Sequence, residues 1–373
     1  MGISSSLGSS ALLPAGLGFR NLIINGGMQV AQRGSTFTFG SGSGSLYYGA
    51  DRWRTQDYTW SAGSNITVSN DSSVYPTGFS NSYKVATGAT GLTFGSGGTL
   101  FIETAIEGYN ASSLYGRSAY LSFWVRSSVT GIYNVLLENG VWGSGTSTRI
   151  YTPEYTINSA NTWEYKTIPI DFATATASGT WNRTNGKGIG VSFVLGAHAD
   201  RTGDPYKSGW TTFSSYAGIK TSSAVSWGTN ANATFNVTGV QLEQNYQPTP
   251  FEQRPIGVEL ALCQRYYYRT VYNGTSNTLL NGTGNSYSAS SQINLFMLHP
   301  VPMRSIVSTL ESANIGASDL STADSGTATV VTGFTGNSSI FGTRVRLTAT
   351  TSWNGPAFPI VFSGGYFALG AEL

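Results

Sequence analysis

Two neighbouring stretches, Gly239-Val240-Gln241-Leu242-Glu243 and Thr249-Pro250-Phe251-Glu252-Gln253-Arg254, carry the most structural information in this chain. The first alternates apolar and polar residues, as a β-strand with one buried face does. Pro248 and Pro250 then end the strand, because proline cannot donate to a β-ladder. Residues 256–266 have helical spacing instead. This junction divides the chain into a large β-rich part and a smaller part after it.

The composition is that of a β-rich protein with very little charge. Charged residues make up 10% of the 373 residues, against ~25% in an average globular protein. Hydrophobic residues reach 40%, aromatic residues 13%, and there are 47 glycines, which suits short strands joined by tight turns. The net charge is +2 without a Lys/Arg run, so we expect no nucleic-acid partner.

The low counts of cysteine and histidine, and the lack of a long apolar stretch, exclude several kinds of site and of protein. Cys263 is the single cysteine, so no intrachain disulfide can form. With His198 and His299 as the only histidines, neither a zinc cluster nor a Ser-His-Asp triad is expected. No stretch of 18 apolar residues occurs, so we expect no membrane insertion. Residues 1–19 lack a charged start and contain Pro14, which favours an anchoring arm over a secretion signal.

Strand patterns recur from residue 20 to about residue 253. Large apolar residues recur at every second position in residues 120–126 and 189–195, and Gly239 shifts the alternation within the last strand, which predicts a bulge. Many short strands without an amphipathic helix predict an all-β protein with a jelly-roll β-sandwich in this part. A linking helix is expected over 254–268, with its apolar face formed by Ile256, Leu260, Cys263 and Tyr267.

The chain after the linking helix returns to strand patterns. Residues 293–298 and 344–349 alternate in the same way, and residues 359–362 and 366–369 give the last predicted strands. The expected organisation is an N-terminal anchoring arm (1–19), a jelly-roll domain (20–253), the linking helix (254–268) and a second, smaller β-sandwich domain (269–373). About a hundred residues are a usual size for such a domain.

Several short segments resemble those of a family of tailed-bacteriophage virion proteins, which includes tail fibres. They are residues 20–34, 51–53, 239–243, 249–254, 260–267, 302–304 and 371–373. The resemblance implies a virion location and a jelly roll similar to carbohydrate-binding modules. It identifies no ligand and implies no catalytic residue.

The long irregular segment 198–227 is the candidate carbohydrate site. Sugar binding needs flat aromatic faces beside amide or carboxylate groups, and long loops are often functional. The candidate contacts are Asp200, Asp204, Tyr206, Trp210 and Trp227. The alternative is that Trp210 and Trp227 pack in the core or at a subunit interface, which is the more common use of such residues.

Catalysis is not expected. A glycosidase needs two carboxylates on either side of the scissile bond. Glu103 and Glu107 would lie on one side of a strand, where like charges repel. A polar sheet face or a structural calcium site explains them better. We therefore expect no cofactor, with structural calcium as the one alternative left open.

Taken together, these patterns and the resemblance predict a non-enzymatic phage tail fibre that attaches to host-surface glycans. We expect it to be made in the bacterial cytoplasm, to form a homotrimer, and to dock to other virion proteins through the N-terminal arm. The alternatives are a purely architectural component (head fibre, decoration or baseplate protein) without a sugar site, and a polysaccharide depolymerase.

Overall fold

The computed structural model describes residues 19–40, 46–60, 65–140, 147–271, 278–279, 284–286, 292–307, 309–313, 328–329, 339–349, 356–357, 360–361 and 366–373. The predicted arm lies outside these residues except for Phe19. The prediction of an all-β sandwich is confirmed, since strands dominate the described chain and helices are short.

The described residues of the large N-terminal part form fourteen strands. They are β1 (Thr36–Phe39), β2 (Leu46–Ala50), β3 (Trp53–Trp60), β4 (Ile66–Asp71), β5 (Ser82–Thr87), β6 (Phe94–Glu107), β7 (Ser118–Ser127), β8 (Gly131–Glu138), β9 (Arg149–Tyr151), β10 (Glu154–Ile157), β11 (Glu164–Asp171), β12 (Lys187–Ala197), β13 (Thr211–Thr212) and β14 (Thr234–Glu243). Two short helices, α1 (Gly108–Ala111) and α2 (Phe172–Ala175), interrupt them.

The strands form two antiparallel sheets. The front sheet has the order β1-β4-β5-β14-β7-β11, and the back sheet has the order β13-β9-β8-β12-β6-β3-β2, with β10 beside β8. The chain crosses repeatedly from one sheet to the other, as in a jelly roll. The two sheets bury one continuous hydrophobic core.

The residues of the core occupy the apolar positions of the predicted alternation. Leu121, Phe123 and Val125 of the front sheet and Val191 and Phe193 of the back sheet are fully buried. Phe123 and Phe193 meet edge to face, with ring centroids 4.9 Å apart. Aromatic contacts of this kind add to the hydrophobic gain of burial.

The predicted bulge at Gly239 is confirmed. The register of β14 against β7 shifts between Thr238 and Gln241, and Gly239 has φ of 61°. A side chain at this left-handed position is strained. A side chain at this position would also collide with its neighbour, because a Cβ on Gly239 would lie 2.6 Å from the ring of Phe79.

A cluster of polar contacts, which we call the polar joint, fastens residues 20–25 to the end of β14. The Glu252 carboxylate accepts hydrogen bonds from the backbone N–H groups of Arg20 and Asn21, both at 3.0 Å. The Asn21 side chain donates to the carbonyl of Val240 at 3.0 Å and accepts from the N–H of Leu242 at 3.1 Å. Asn21 therefore extends the hydrogen bonding of β14 beyond the sheet.

Arg254 completes the polar joint from the other side. Its guanidinium donates to the carbonyls of Asn21 and Ile23 and pairs with Glu259 at 3.3 Å. Glu259 in turn accepts from the N–H of Asn25. Residues 239–243 and 249–254 thus meet the residues around position 20 in one largely buried network.

The linking helix α3 (Ile256–Gln264) is shorter than expected. Tyr267 was predicted on its apolar face, but it begins strand β15 (Tyr267–Val271) and pairs with Gly370. Aromatic residues favour strands, and here a distant strand supplies the partner. Cys263 is buried as predicted. The domain boundaries themselves stay a prediction.

The described residues after α3 form three further sheets, one of which includes β15. Their strands are β16 (Thr278–Leu279), β17 (Gly284–Ser286), β18 (Gln292–Leu298), β19 (Thr309–Ala313), β20 (Ala328–Thr329), β21 (Gly342–Ala349), β22 (Pro356–Ala357), β23 (Ile360–Val361) and β24 (Tyr366–Gly370). The sheet orders are β15-β24-β19, β16-β23 and β20-β21-β18-β17-β22.

Replacing Gly239 should destabilise the sandwich. Gly239→Ala combines a left-handed backbone with a clash against Phe79, so we expect a loss of about 2–4 kcal/mol in the free energy of unfolding. Gly257→Ala is the matched control, because Gly257 is helical and a Cβ there meets nothing within 4 Å. This control should gain up to about 1 kcal/mol. Chemical denaturation measures both, and equal effects would contradict the account of the bulge.

Candidate functional site

The segment 198–227, predicted as the binding loop, folds over the outer face of the back sheet. Phe101, Leu136 and Val194 project from that face and form a second hydrophobic cluster. Tyr206 and Ile219 of the segment complete the cluster. The segment therefore covers an apolar sheet face that would otherwise meet water.

Tyr206 is fully buried within this second cluster. Its hydroxyl accepts hydrogen bonds from the N–H groups of Ser214 and Ser215, both at 3.0 Å, and donates to the carbonyl of Ser215 at 2.6 Å. These contacts hold the segment in a closed turn around one tyrosine. The ring has no face open to solvent.

The two tryptophans of the segment pack inward. Trp227 is fully buried against Phe235, and its indole N–H donates to the carbonyl of Thr234 at 3.3 Å. Trp210 is 8% exposed. Its ring packs against Phe172 and Trp181, each with centroids 5.4 Å apart. Of the two, Trp210 lies beside a surface groove.

Asp200 and Asp204, the two acidic residues of the predicted carbohydrate site, are exposed, and their carboxylates accept hydrogen bonds. Asp200 accepts hydrogen bonds from the Ser96 hydroxyl at 2.7 Å, from His198 Nδ1 at 2.8 Å and from the N–H of Gly97 at 2.9 Å. The Ser96 and His198 bonds lower the pKa of Asp200 to about 2. The pKa of Asp204 is also lowered, chiefly by the N–H of Ser222.

An open cavity of about 440 Å³, which we call the edge groove, lies at the rim of the sandwich. It is bounded by the ends of β7 and β11 in the front sheet and by β9 and the residues before β13 in the back sheet. Its lining residues are Ser118, Ala119, Tyr120, Tyr151, Pro169, Ile170, Asp171, Thr174, Ser208, Gly209, Trp210 and Tyr246.

Aromatic residues from both sheets and from the turn after β14 meet in the edge groove. Tyr120 lies opposite Pro169 on one side and opposite Glu243 on the other. Tyr246 follows β14 by three residues and is 87% exposed. Tyr151 ends β9, and its ring lies 6.0 Å from that of Trp210. Both sheets therefore contribute aromatic rings to one concave surface.

The polar groups of the edge groove are mostly hydroxyls. Ser118, Thr174 and Ser208 supply them. Asp171 is the one carboxylate among the described lining residues, and it caps α2 by accepting from the N–H of Ala173 at 2.8 Å. Aromatic faces beside hydroxyl groups suit a ligand with C–H faces and hydroxyls of its own.

The groove contains Trp210 of the predicted site but not its other members. Sequence analysis missed Tyr120, Tyr151 and Tyr246. Tyr246 had a usable signal, because it is an aromatic residue in the polar turn 244–247 that precedes the prolines. In the strand pattern of residues 120–126, Tyr120 lies on the face opposite Leu121, Phe123 and Val125. No local pattern places these residues beside Tyr151 of the other sheet.

The acidic residues of β6 are paired with arginines. Glu103 pairs with Arg54, and Glu107 pairs with Arg265 at 2.6 Å. No group of three or more metal-ligating side chains occurs in the described part of the chain. Within the same residues, no helix has the length and apolar character needed to span a bilayer.

No protein-family model and no curated protein sequence matches this chain. Among solved structures, it is similar to the enzymatically active domain of tailspike protein 4 of bacteriophage CBA120, with 12% identity and a TM-score of 0.31 over 61% of this chain and 22% of that one. A family 11 carbohydrate-binding module from Clostridium thermocellum gives 12% identity and a TM-score of 0.30, over 56% of this chain and 100% of the module.

A putative sugar binding protein from Bacteroides thetaiotaomicron gives similar values. Its identity is 11% and its TM-score 0.32, over 60% of this chain and 100% of that chain. The neighbours thus include a phage tailspike domain and carbohydrate-binding modules. Identities and scores this low assign no ligand and no activity.

The hydrogen bonds to the Asp200 carboxylate predict that its pKa lies well below that of a free aspartate. Asp200 should titrate near pH 2, against ~3.9 for a free aspartate. Because the folded pKa is depressed, its stabilising contribution is present above about pH 4 and is lost as pH falls towards 2. Ser96→Ala removes the largest cause and should raise the pKa. Carboxyl-carbon NMR titration measures it, with Asp204 as the internal control. An unchanged Asp200 pKa in Ser96→Ala would contradict the assignment.

Proposed function

We propose that this protein is a non-catalytic, glycan-binding component of a phage virion, and that the edge groove is its glycan site. The observation that carries the proposal is the convergence of Tyr120, Tyr151, Trp210 and Tyr246 with several hydroxyl groups in one open groove. Its volume of about 440 Å³ lies within the usual range of small-molecule sites.

Tyr246 is the main stacking platform in this proposal. Its ring is almost fully exposed, so it contributes nothing to the packing of the core and is free to contact a ligand. Sugar rings present C–H groups that stack on aromatic faces, and their hydroxyls exchange hydrogen bonds with groups such as Ser118 and Ser208. The half-buried Tyr120 and Tyr151 form the floor and walls.

The charge of the groove supports binding without hydrolysis. Asp171 is the one charged residue among the described lining residues, and its carboxylate is engaged at the start of α2. Glycoside hydrolysis needs a pair of carboxylates about 5–10 Å apart. The proposal is therefore a binding module for a neutral glycan.

The virion location rests on the sequence resemblance. Its separate segments meet in the structure: Asn25 of the first segment accepts from the Trp53 indole and donates to Asp51, while Arg52 pairs with Glu372. This convergence supports treating the segments as one fold signature. In the proposal, the protein forms a homotrimer on the particle surface and docks through residues 1–19.

A purely architectural role is the second candidate. The burial of Tyr206 and Trp227 favours it, because both were expected to contact sugar. In that case the edge groove would bind no glycan. The experiment below separates the two candidates.

Removing the stacking platform should weaken glycan binding selectively. Tyr246→Ala should lower the affinity for array-selected host glycans at least about tenfold, which corresponds to ~1.4 kcal/mol. Its unfolding free energy should change by less than about 0.5 kcal/mol, because the side chain is exposed. Tyr109→Ala is the matched control, since Tyr109 is 59% exposed and lies outside the groove.

Binding is measured by glycan array and calorimetry. An array on which the wild-type protein binds nothing would favour the architectural role. Release of reducing ends from host polysaccharide would favour a depolymerase. Trp210→Ala is a poorer test, because truncating a buried tryptophan costs about 3–5 kcal/mol of stability.

A further inference from the structure

We infer that the outer face of the front sheet continues the edge groove, so that the bound species is an extended neutral glycan chain and not a single sugar. This inference rests on the proposed function. It concerns the surface formed by Tyr120, Trp124, Tyr165 and Phe79, which we call the front face.

The front face begins where the edge groove ends. Side chains alternate along a strand, and in β7 the inward residues are Leu121, Phe123 and Val125. Tyr120 and Trp124 therefore share the opposite face. Tyr120 lines the groove, and four residues at ~3.3 Å each place Trp124 about 13 Å further along. The aromatic surface is thus continuous over more than one sugar ring.

Aromatic rings extend across the front face. Trp124 and Tyr165 lie on neighbouring strands with ring centroids 5.4 Å apart. Tyr165 is 41% exposed, and Trp124 is half-buried. On the other side, a Cβ on Gly239 would lie 2.6 Å from Phe79 and 3.2 Å from Trp124. The bulge glycine therefore lets the Trp124 and Phe79 rings approach each other over β14.

The front face also contains polar atoms without partners. Asn236 Oδ1 and Thr238 Oγ1 are fully buried and have no hydrogen-bond partner within the described structure. Phe235 and Val237 face the core, so both polar residues lie on the opposite side, and Thr238 is directly opposite Trp124. Leaving such a group unsatisfied is costly, and functional sites are where this cost is tolerated.

These two oxygens indicate what the front face binds. Both can accept a hydrogen bond, and Thr238 can also donate one. A hydroxyl-rich ligand that reaches these two oxygens would satisfy both. A purely apolar occupant would leave them unsatisfied.

The charges of this region favour a neutral ligand. Lys84 pairs with Asp71 at 3.4 Å, and Arg20 pairs with Glu243 at 3.4 Å. Arg126 donates through Nε to the carbonyl of Asn161 at 3.0 Å. An acidic polysaccharide would require a cluster of cations, whereas alternating aromatic rings and hydroxyl partners suit an uncharged chain.

Chain-length dependence tests the inference. The probes are glucan, mannan and galactan oligomers of increasing length, from disaccharide to hexasaccharide, titrated calorimetrically into the whole 373-residue chain. For the wild-type protein we expect the affinity for the best series to rise at least about tenfold from disaccharide to hexasaccharide. Trp124→Ala should abolish this rise but retain the disaccharide affinity, and Trp124→Phe should restore part of it. Tyr246→Ala should weaken both lengths.

Thr238→Val provides a second variant that does not depend on a large truncation. It replaces a buried, unpartnered hydroxyl by a methyl group of similar size, so its stability should be unchanged or raised. Its hexasaccharide affinity should fall severalfold while its disaccharide affinity stays at the wild-type value. Tyr109→Ala again serves as the control, and thermal unfolding verifies that each variant is folded.

The outcomes separate the two proposals. Equal wild-type affinity for short and long oligomers, or an unchanged length dependence in Trp124→Ala and Thr238→Val, would overturn the front-face inference and leave the groove intact. Absence of binding to every series would overturn both proposals. A change of oligomeric state in Trp124→Ala, seen by sedimentation, would show instead that a second copy of this chain covers the front face.

Discussion

The polar joint is the constraint on which the rest of the structure depends. A jelly roll leaves the last strand, β14, in the centre of the front sheet, with the chain leaving through a segment that contains two prolines. Asn21 satisfies the backbone groups of Val240 and Leu242 in β14. Glu252 satisfies the N–H groups of Arg20 and Asn21, and Arg254 donates to the Asn21 carbonyl. Because buried polar groups are costly unless all are paired, the joint forms only when the start and the end of the sandwich are both in place.

Charge is scarce in this protein, and several of its buried ion pairs join residues at or after the end of α3 to the sandwich. Arg52 pairs with Glu372 and lies over the ring of Tyr266, while Glu107 accepts from Arg265 and from the Tyr266 hydroxyl. Burial alone would raise the pKa of Glu372, but the neighbouring arginines lower it. Breaking a buried pair costs far more than a surface pair does. These ion pairs thus hold residues at and after the end of the linking helix against the sandwich.

The sequence allowed the strands to be predicted but not their long-range consequences. Alternation in 120–126 and the bulge at Gly239 are local features, and both were confirmed. Tyr267 was misplaced because its strand partner, Gly370, is about a hundred residues away. The covering role of 198–227 had a signal: Phe193, Val194 and Leu195 are apolar without interruption, which indicates a strand buried on both faces. Single residues of the edge groove, Trp210 and Tyr246, had a signal, but their meeting with Tyr120 and Tyr151 had none, since the walls of the groove come from two different sheets.

The polar joint also positions the exposed platform of the proposed site. Thr249 donates to the Glu243 carboxylate through its backbone N–H at 2.8 Å and through its hydroxyl at 2.7 Å. These bonds close the turn that contains Tyr246, and Gln241 extends the network to Glu252. A turn fixed at both ends loses little conformational freedom on binding, which favours affinity. The residues that secure the fold therefore also preorganise the tyrosine expected to meet the glycan.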